Sequence, residues 1–119
     1  MNISKFTKLF GVIMLVVGVL GFVPALSSGA NLLGIFEVDS LHNIIHILTG
    51  VFALAFANSS PKGFFKVFGI VYLLVTVVGF VQGNTVFGLI AVNMADNLLH
   101  LVISVVALGI GFKNSSQVA

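Results

Sequence analysis

Apolar residues run almost unbroken along this chain, and charged residues fall only between the runs. No charge interrupts the intervals Lys8 to Glu37, Asp39 to Lys62, Lys66 to Asp96 and Asp96 to Lys113. Within them the apolar stretches are Leu9 to Leu26, Ser40 to Asn58, Val67 to Val81 and Asn97 to Phe112. Each approaches the length a helix needs to cross a hydrocarbon core of about 30 Å. A backbone in lipid must satisfy its own hydrogen bonds, so the runs are read as helices. Pro24 and the "SSGAN" run close the first, "NSSPKG" turns the second into the third, and "QGN" ends the third. The pattern predicts an all-α, four-helix transmembrane bundle, a single integral membrane domain over residues 1–119.

Composition supports that solvent. Of 119 residues, 59% are hydrophobic and 7% charged, where soluble domains carry about 25% charged residues. Cysteine is absent, which removes disulfides, thiolate metal sites and cysteine nucleophiles. The formal charge of +2 comes from lysines near helix ends and does not point to nucleic acid. In a four-span arrangement Lys5, Lys8, Lys62, Lys66 and Lys113 fall on one side, and Glu37, Asp39 and Asp96 on the other. The positive-inside rule then places both termini in the cytoplasm.

The chain also reads as a duplication. "KLFGVIMLVVGVLGFVP" (8–24) aligns with "KVFGIVYLLVTVVGFVQ" (66–82), and "LGIFEVDSLHNIIHILTGVFAL" (33–54) with "FGLIAVNMADNLLHLVISVVAL" (87–108). Two helical hairpins, about 8–57 and 66–111, would form a parallel repeat about an axis along the membrane normal. Lys5, Lys8, the first apolar run and "SGA" at 28–30 resemble a cleavable signal peptide. The first helix has a mid-chain counterpart, however, so its retention is expected.

The alignment pairs polar residues inside the apolar helices. His46 matches His100, Asn43 matches Asn97, Asp39 matches Asn93, and His42 matches Asp96. Asp39 and Asn93 are good N-cap residues, with Ser40 an alternative to Asp39. Asp96, three residues after Asn93, suits a capping box. Asn43, His46, Gly50, Ala53 and Ala57 make one helical stripe, and Asn97, His100, Ser104, Ala107 and Gly111 make its counterpart. Small residues allow close helix approach, so the second and fourth helices are expected to pack at the centre. Gly11, Gly18, Gly21, Gly69 and Gly79 are packing positions on the other two.

Three functions compete. Asn43, His46, Asn97 and His100 can form an interhelical hydrogen-bond network in a structural or interaction protein, at about 0.6–2 kcal/mol per bond. His42, His46, Asp96 and His100 instead offer three imidazoles and a carboxylate to zinc, iron or copper, or facing histidines to haem. Intramembrane ionisable groups can also serve a proton or small-solute path. Spacing does not specify a cofactor. Serines without spaced partners give no support to hydrolysis, so no enzymatic activity is expected. The expected partners are the lipid bilayer and either a second copy of the chain or another membrane protein.

The repeated segments "NLLGIFEV" and "TVFGLIAV" are apolar and suit short interfacial or re-entrant covers at the outer mouth. The polar tail "NSSQVA" is expected to fray. "GVLGFVPAL", "LLGIFEVDSLHNIIHILTGVFAL" and "VNMADNLLHLVISVVALG" together resemble the family of small bacterial membrane proteins catalogued as domain of unknown function 4383. The motifs fall on Gly21 to Pro24, His42 to His46, and Asn93 to His100. Ala25 stands where the family has glycine, and Leu98 where it has an aromatic residue. The resemblance implies four helices in a bacterial inner membrane and brings no activity.

Overall fold

The computed structural model describes residues 2–113, so the tail expected to fray lies outside the described residues. Four helices dominate: α1 (Ile3–Leu20), α2 (Ser40–Phe56), α3 (Pro61–Gln82) and α4 (Met94–Gly111). Between α1 and α2 come a 3-10 turn (Pro24–Leu26) and strands β1 (Ser27–Ser28), β2 (Asn31–Leu32) and β3 (Phe36–Glu37). Between α3 and α4 come β4 (Thr85–Val86) and β5 (Ile90–Ala91). By length and composition α1, α3 and α4 can each cross a membrane, while α2, at 17 residues, is slightly shorter. The long axis of 45 Å compares with about 40–45 Å for a bilayer with its head groups. Three candidate spans suggest a multi-pass membrane protein, and the outward sides of the helices are apolar, as exposed Val67, Val81 and Val102 show.

Helix ends follow local chemistry. Asn2 caps α1 by accepting from Lys5 N, and Asp39 caps α2 by accepting from His42 N. Asn93 and Asp96 form a reciprocal capping box on α4. Free helix-end N–H groups are thereby paired. The first helix stops at Leu20, with Gly21 as its C-cap, although the apolar run continues to Leu26. The extra residues turn away before Pro24, so hydrophobicity alone overextended this helix.

The inter-helix covers are not purely helical or irregular, and the all-α expectation needs that correction. β1–β2–β3 and β4–β5 are small antiparallel sheets. Leu32 pairs with Phe36, and Val86 with Ile90. Leu33–Gly34 and Phe87–Gly88 close the turns with positive φ at all four residues. Positive φ is costly for a bulky side chain. Leu33 and Phe87 face outward, while their neighbours Leu32 and Val86 are buried.

Packing joins α1 to α2 and α3 to α4 most closely. A Cβ on Gly50 would lie 2.6 Å from Gly11 O, and one on Gly111 would lie 2.7 Å from Lys66 N, so these small residues set the close approach. Central packing of α2 on α4 is not the principal contact: those helices meet through bulky side chains, which hold their backbones apart. At the other end, Phe65 lies beneath Phe6 and Phe10, with ring centroids 5.9 and 5.6 Å away. This aromatic cluster ties α1 to α3 through apolar contact. Ser4 Oγ donates to Asn58 Oδ1, tying the start of α1 to the end of α2, and Lys62 Nζ donates to Lys113 O, tying the start of α3 to the end of α4. The lysines cluster at that end, and Glu37, Asp39 and Asp96 lie at the opposite one.

Candidate metal centre

The acidic end gathers the chain's histidines. His42 and His46 occupy successive turns of α2, and His100 projects from α4. Their ring centroids lie 4.6 Å apart for His42–His46, 5.4 Å for His42–His100 and 5.9 Å for His46–His100. One ring nitrogen from each lies within 4.8 Å of the others. All three residues are buried, at 2–4% exposure. Helical spacing brings the first two onto one face, and the meeting of the two helix pairs supplies the third.

His42 Nδ1 is 2.9 Å from the Ala91 carbonyl oxygen. A carbonyl can only accept, so neutral His42 carries its hydrogen on Nδ1 and presents an Nε2 lone pair. Asp39 reinforces the arrangement. Its Oδ1 accepts from His42 N at 2.7 Å, and its Oδ2 accepts from Ala91 N at 2.7 Å. Ala91 is therefore bracketed through both backbone polar groups. On the facing side, Asn93 Nδ2 donates to Ile35 O at 2.8 Å, tying the first cover to α4.

Other buried hydroxyls find conventional partners. Thr7, Thr49, Thr76 and Ser104 each donate to a nearby helical carbonyl. In contrast, His42 Nε2, both ring nitrogens of His46 and His100 Nδ1 have no hydrogen-bond partner. Buried polar atoms are normally paired, so a concentration of orphan nitrogens at one point is a specific chemical feature. The expected Asn/His network is not formed by these atoms. Asn43 Oδ1 and Asn97 Oδ1 are also without partners. They sit where a Cβ on Gly21 or Gly79, respectively, would have to be. The two asparagines thus pack over helix glycines, and the histidines form a separate cluster.

Asp96 does not join the metal-compatible cluster, which contains the three histidines alone among the described residues. Its Oδ2 accepts from Asn93 N at 2.9 Å in the capping box. Of the four residues that the sequence offers as ligands, the three histidines lie together, and Asp96 is held in the α4 capping box.

A cavity of about 190 Å³ lies beside the rings between α2 and α3. Its lining adds Thr49 and Tyr72 to the histidines and is otherwise apolar. Thr49 donates to Ile45 O, and its oxygen is 3.0 Å from Tyr72 OH. With the threonine hydrogen committed, the tyrosine hydroxyl is the donor of that second contact. Tyr72 is the chain's single tyrosine; helical spacing does not single it out, and its proximity to His100, 5.6 Å between centroids, depends on the packed fold.

A family model described as a domain of unknown function, DUF4383, matches residues 5–113. The chain belongs to the DUF4383 family. No curated protein and no solved structure matches significantly. The DUF4383 match spans all four helices and the histidine cluster, while its description assigns no chemistry.

Proposed function

We propose that this protein binds a transition-metal ion within the membrane through His42, His46 and His100. The observation that carries the reading is the convergence of buried, unpartnered imidazole nitrogens within 4.8 Å. Three neutral imidazoles suit zinc or copper, and backbone bonding of a ligand histidine at its other nitrogen is a common way to orient it. The His42–Ala91 contact supplies that orientation. Tetrahedral coordination at Zn–N distances of about 2.0–2.1 Å requires nitrogen separations of about 3.3 Å, a modest contraction of the cluster. Copper(I) fits the buried setting through its lower charge, since burial penalises charge.

Haem is disfavoured because axial histidines must face opposite sides of a porphyrin, whereas the third imidazole lies against the other two. A continuous solute path is disfavoured by the apolar walls beside the cluster. Asn43 and Asn97 retain a structural role by packing over Gly21 and Gly79.

The wider reading is a duplicated pair of helical hairpins in a bacterial inner membrane. The lysine-rich end faces the cytoplasm under the positive-inside rule. Duplication supplied matching Asn-x-x-His helices, and their differences made the centre asymmetric: His42 stands opposite Asp96 in the aligned halves. Elemental analysis after loading with zinc or copper(I) and removal of free ion tests the binding proposal. One ion per chain is expected, lost in His46→Ala and His100→Ala and retained in Asp96→Asn. Absence of retained ion in the native protein, or native-like retention in the two histidine variants, overturns it.

A further inference from the structure

The cavity beside the histidines opens sideways. Leu48 and Phe52 on α2 and Val71 on α3 line it, yet each is 43–48% exposed on the outside of the bundle. The α2–α3 seam is packed less closely than either helix pair. A second groove of about 440 Å³ follows the seam toward the α2–α3 turn, and Phe52 and Phe68 line both spaces. In a bilayer, an opening through these apolar walls faces hydrocarbon rather than bulk water.

The polar atoms lie at the inner end. His46 has two unpartnered ring nitrogens, His100 has one, and Tyr72 retains oxygen acceptor capacity after donating to Thr49. The polar pocket near Asp39 and Asn43 contains none of the three clustered histidines in its lining. The cluster's cavity is therefore distinct from that outer pocket, and a charged ligand crossing its apolar walls would pay a large desolvation cost.

We propose that the histidine centre accepts a membrane-soluble, uncharged ligand through the α2–α3 seam: an apolar chain bearing one neutral donor atom. The donor takes the fourth metal position, while the chain lies along Leu48 and Val71 in the cavity that the Phe52–Phe68 ring contact, 5.8 Å between centroids, bounds on the side of the α2–α3 turn. This proposal rests on the metal-binding reading above. Three protein ligands leave a coordination position available in a tetrahedral arrangement, and the adjoining cavity supplies a route to it. The Tyr72 oxygen can accept a hydrogen bond where the donor head carries one.

The test uses full-length protein loaded with cobalt(II), whose visible absorption reports changes in coordination. N-decylimidazole is the membrane-soluble probe, and azide is the small charged comparison. The expected result is a shift of the cobalt bands with N-decylimidazole and no shift with azide. Val71→Trp should abolish the N-decylimidazole shift by closing the seam while preserving the starting cobalt bands. Val102→Trp, on an exposed part of α4, should preserve both bands and shift. No ligand-dependent shift, a comparable azide shift, or an undiminished shift in Val71→Trp overturns the access proposal. If Val71→Trp loses its cobalt bands, Leu48→Trp replaces it as the seam-closing variant, with the same outcomes. Failure of the native protein to develop histidine-dependent cobalt bands overturns both this proposal and the metal reading.

Discussion

The ring of His42 is held by the backbone of Ala91, with Nδ1 2.9 Å from the carbonyl oxygen. That contact connects β5 to α2 at the histidine cluster. Asp39 braces the same junction by capping α2 and accepting the Ala91 N–H. The β4–β5 sheet is thus part of the support that orients His42.

Removing this brace should affect both folding and binding. Asp39→Ala is expected to lower stability by about 1–2 kcal/mol through loss of the N-cap. It should also weaken metal binding by about 10–100-fold through loss of ligand orientation. Reversible unfolding in a fixed detergent and metal titration measure the two effects separately. Native-like values for both would contradict the bracing role of Asp39.

The histidines should reveal different stability effects with and without metal. His46→Leu removes two unpartnered buried nitrogens, so the metal-free variant is expected to be neutral or more stable by about 1–2 kcal/mol. It should lose the added stability that metal gives the native protein through selective binding to the folded state. Paired unfolding measurements at equal protein and detergent concentrations test this reversal. Strong metal-free destabilisation would instead support a structural bonding role for His46.

The sequence made the four helices legible because charged boundaries separate long apolar runs. It misplaced the end of α1 because Phe22 and Val23 remain apolar after Gly21 leaves the helix. It missed the short strands because Leu33–Gly34 and Phe87–Gly88 lack the familiar Asn-Gly or Asp-Gly turn signature. Helical spacing exposed the relation between His42 and His46. It could not determine how His100 would meet them, or that Asp96 would be retained by Asn93. Those distinctions arise from packing between helix pairs and from competition for a carboxylate.

Glycine substitutions should distinguish packing from simple helix propensity. A Cβ on Gly79 would collide with Asn97 Oδ1, whereas Gly109 has no such neighbour within 4 Å. Gly79→Ala is therefore expected to cost about 1–3 kcal/mol through overpacking, while Gly109→Ala should be neutral or mildly stabilising. The Gly79→Ala/Asn97→Ala double variant should recover part of the loss. Equal effects of the two single substitutions, or no coupling in the double-mutant cycle, would contradict the contact-based account.

The phenylalanine cluster should matter to the whole bundle without specifying metal identity. Phe65 is fully buried between the helix pairs. Phe65→Ala is expected to reduce stability by about 3–5 kcal/mol through lost packing and cavity formation. Where the variant remains folded, its metal selectivity should match the native protein. Unfolding and competitive zinc–copper(I) titrations test those separate outcomes; unchanged stability or altered selectivity in a folded variant would contradict this assignment.

X-ray absorption on the singly loaded protein reads the coordination shell itself. Three imidazole nitrogens are expected around one ion, at about 2.0–2.1 Å when the ion is zinc, with the imidazole signature lost in a His46→Ala/His100→Ala double variant. An oxygen-only shell, or an unchanged imidazole signature in that double variant, would contradict the proposed centre.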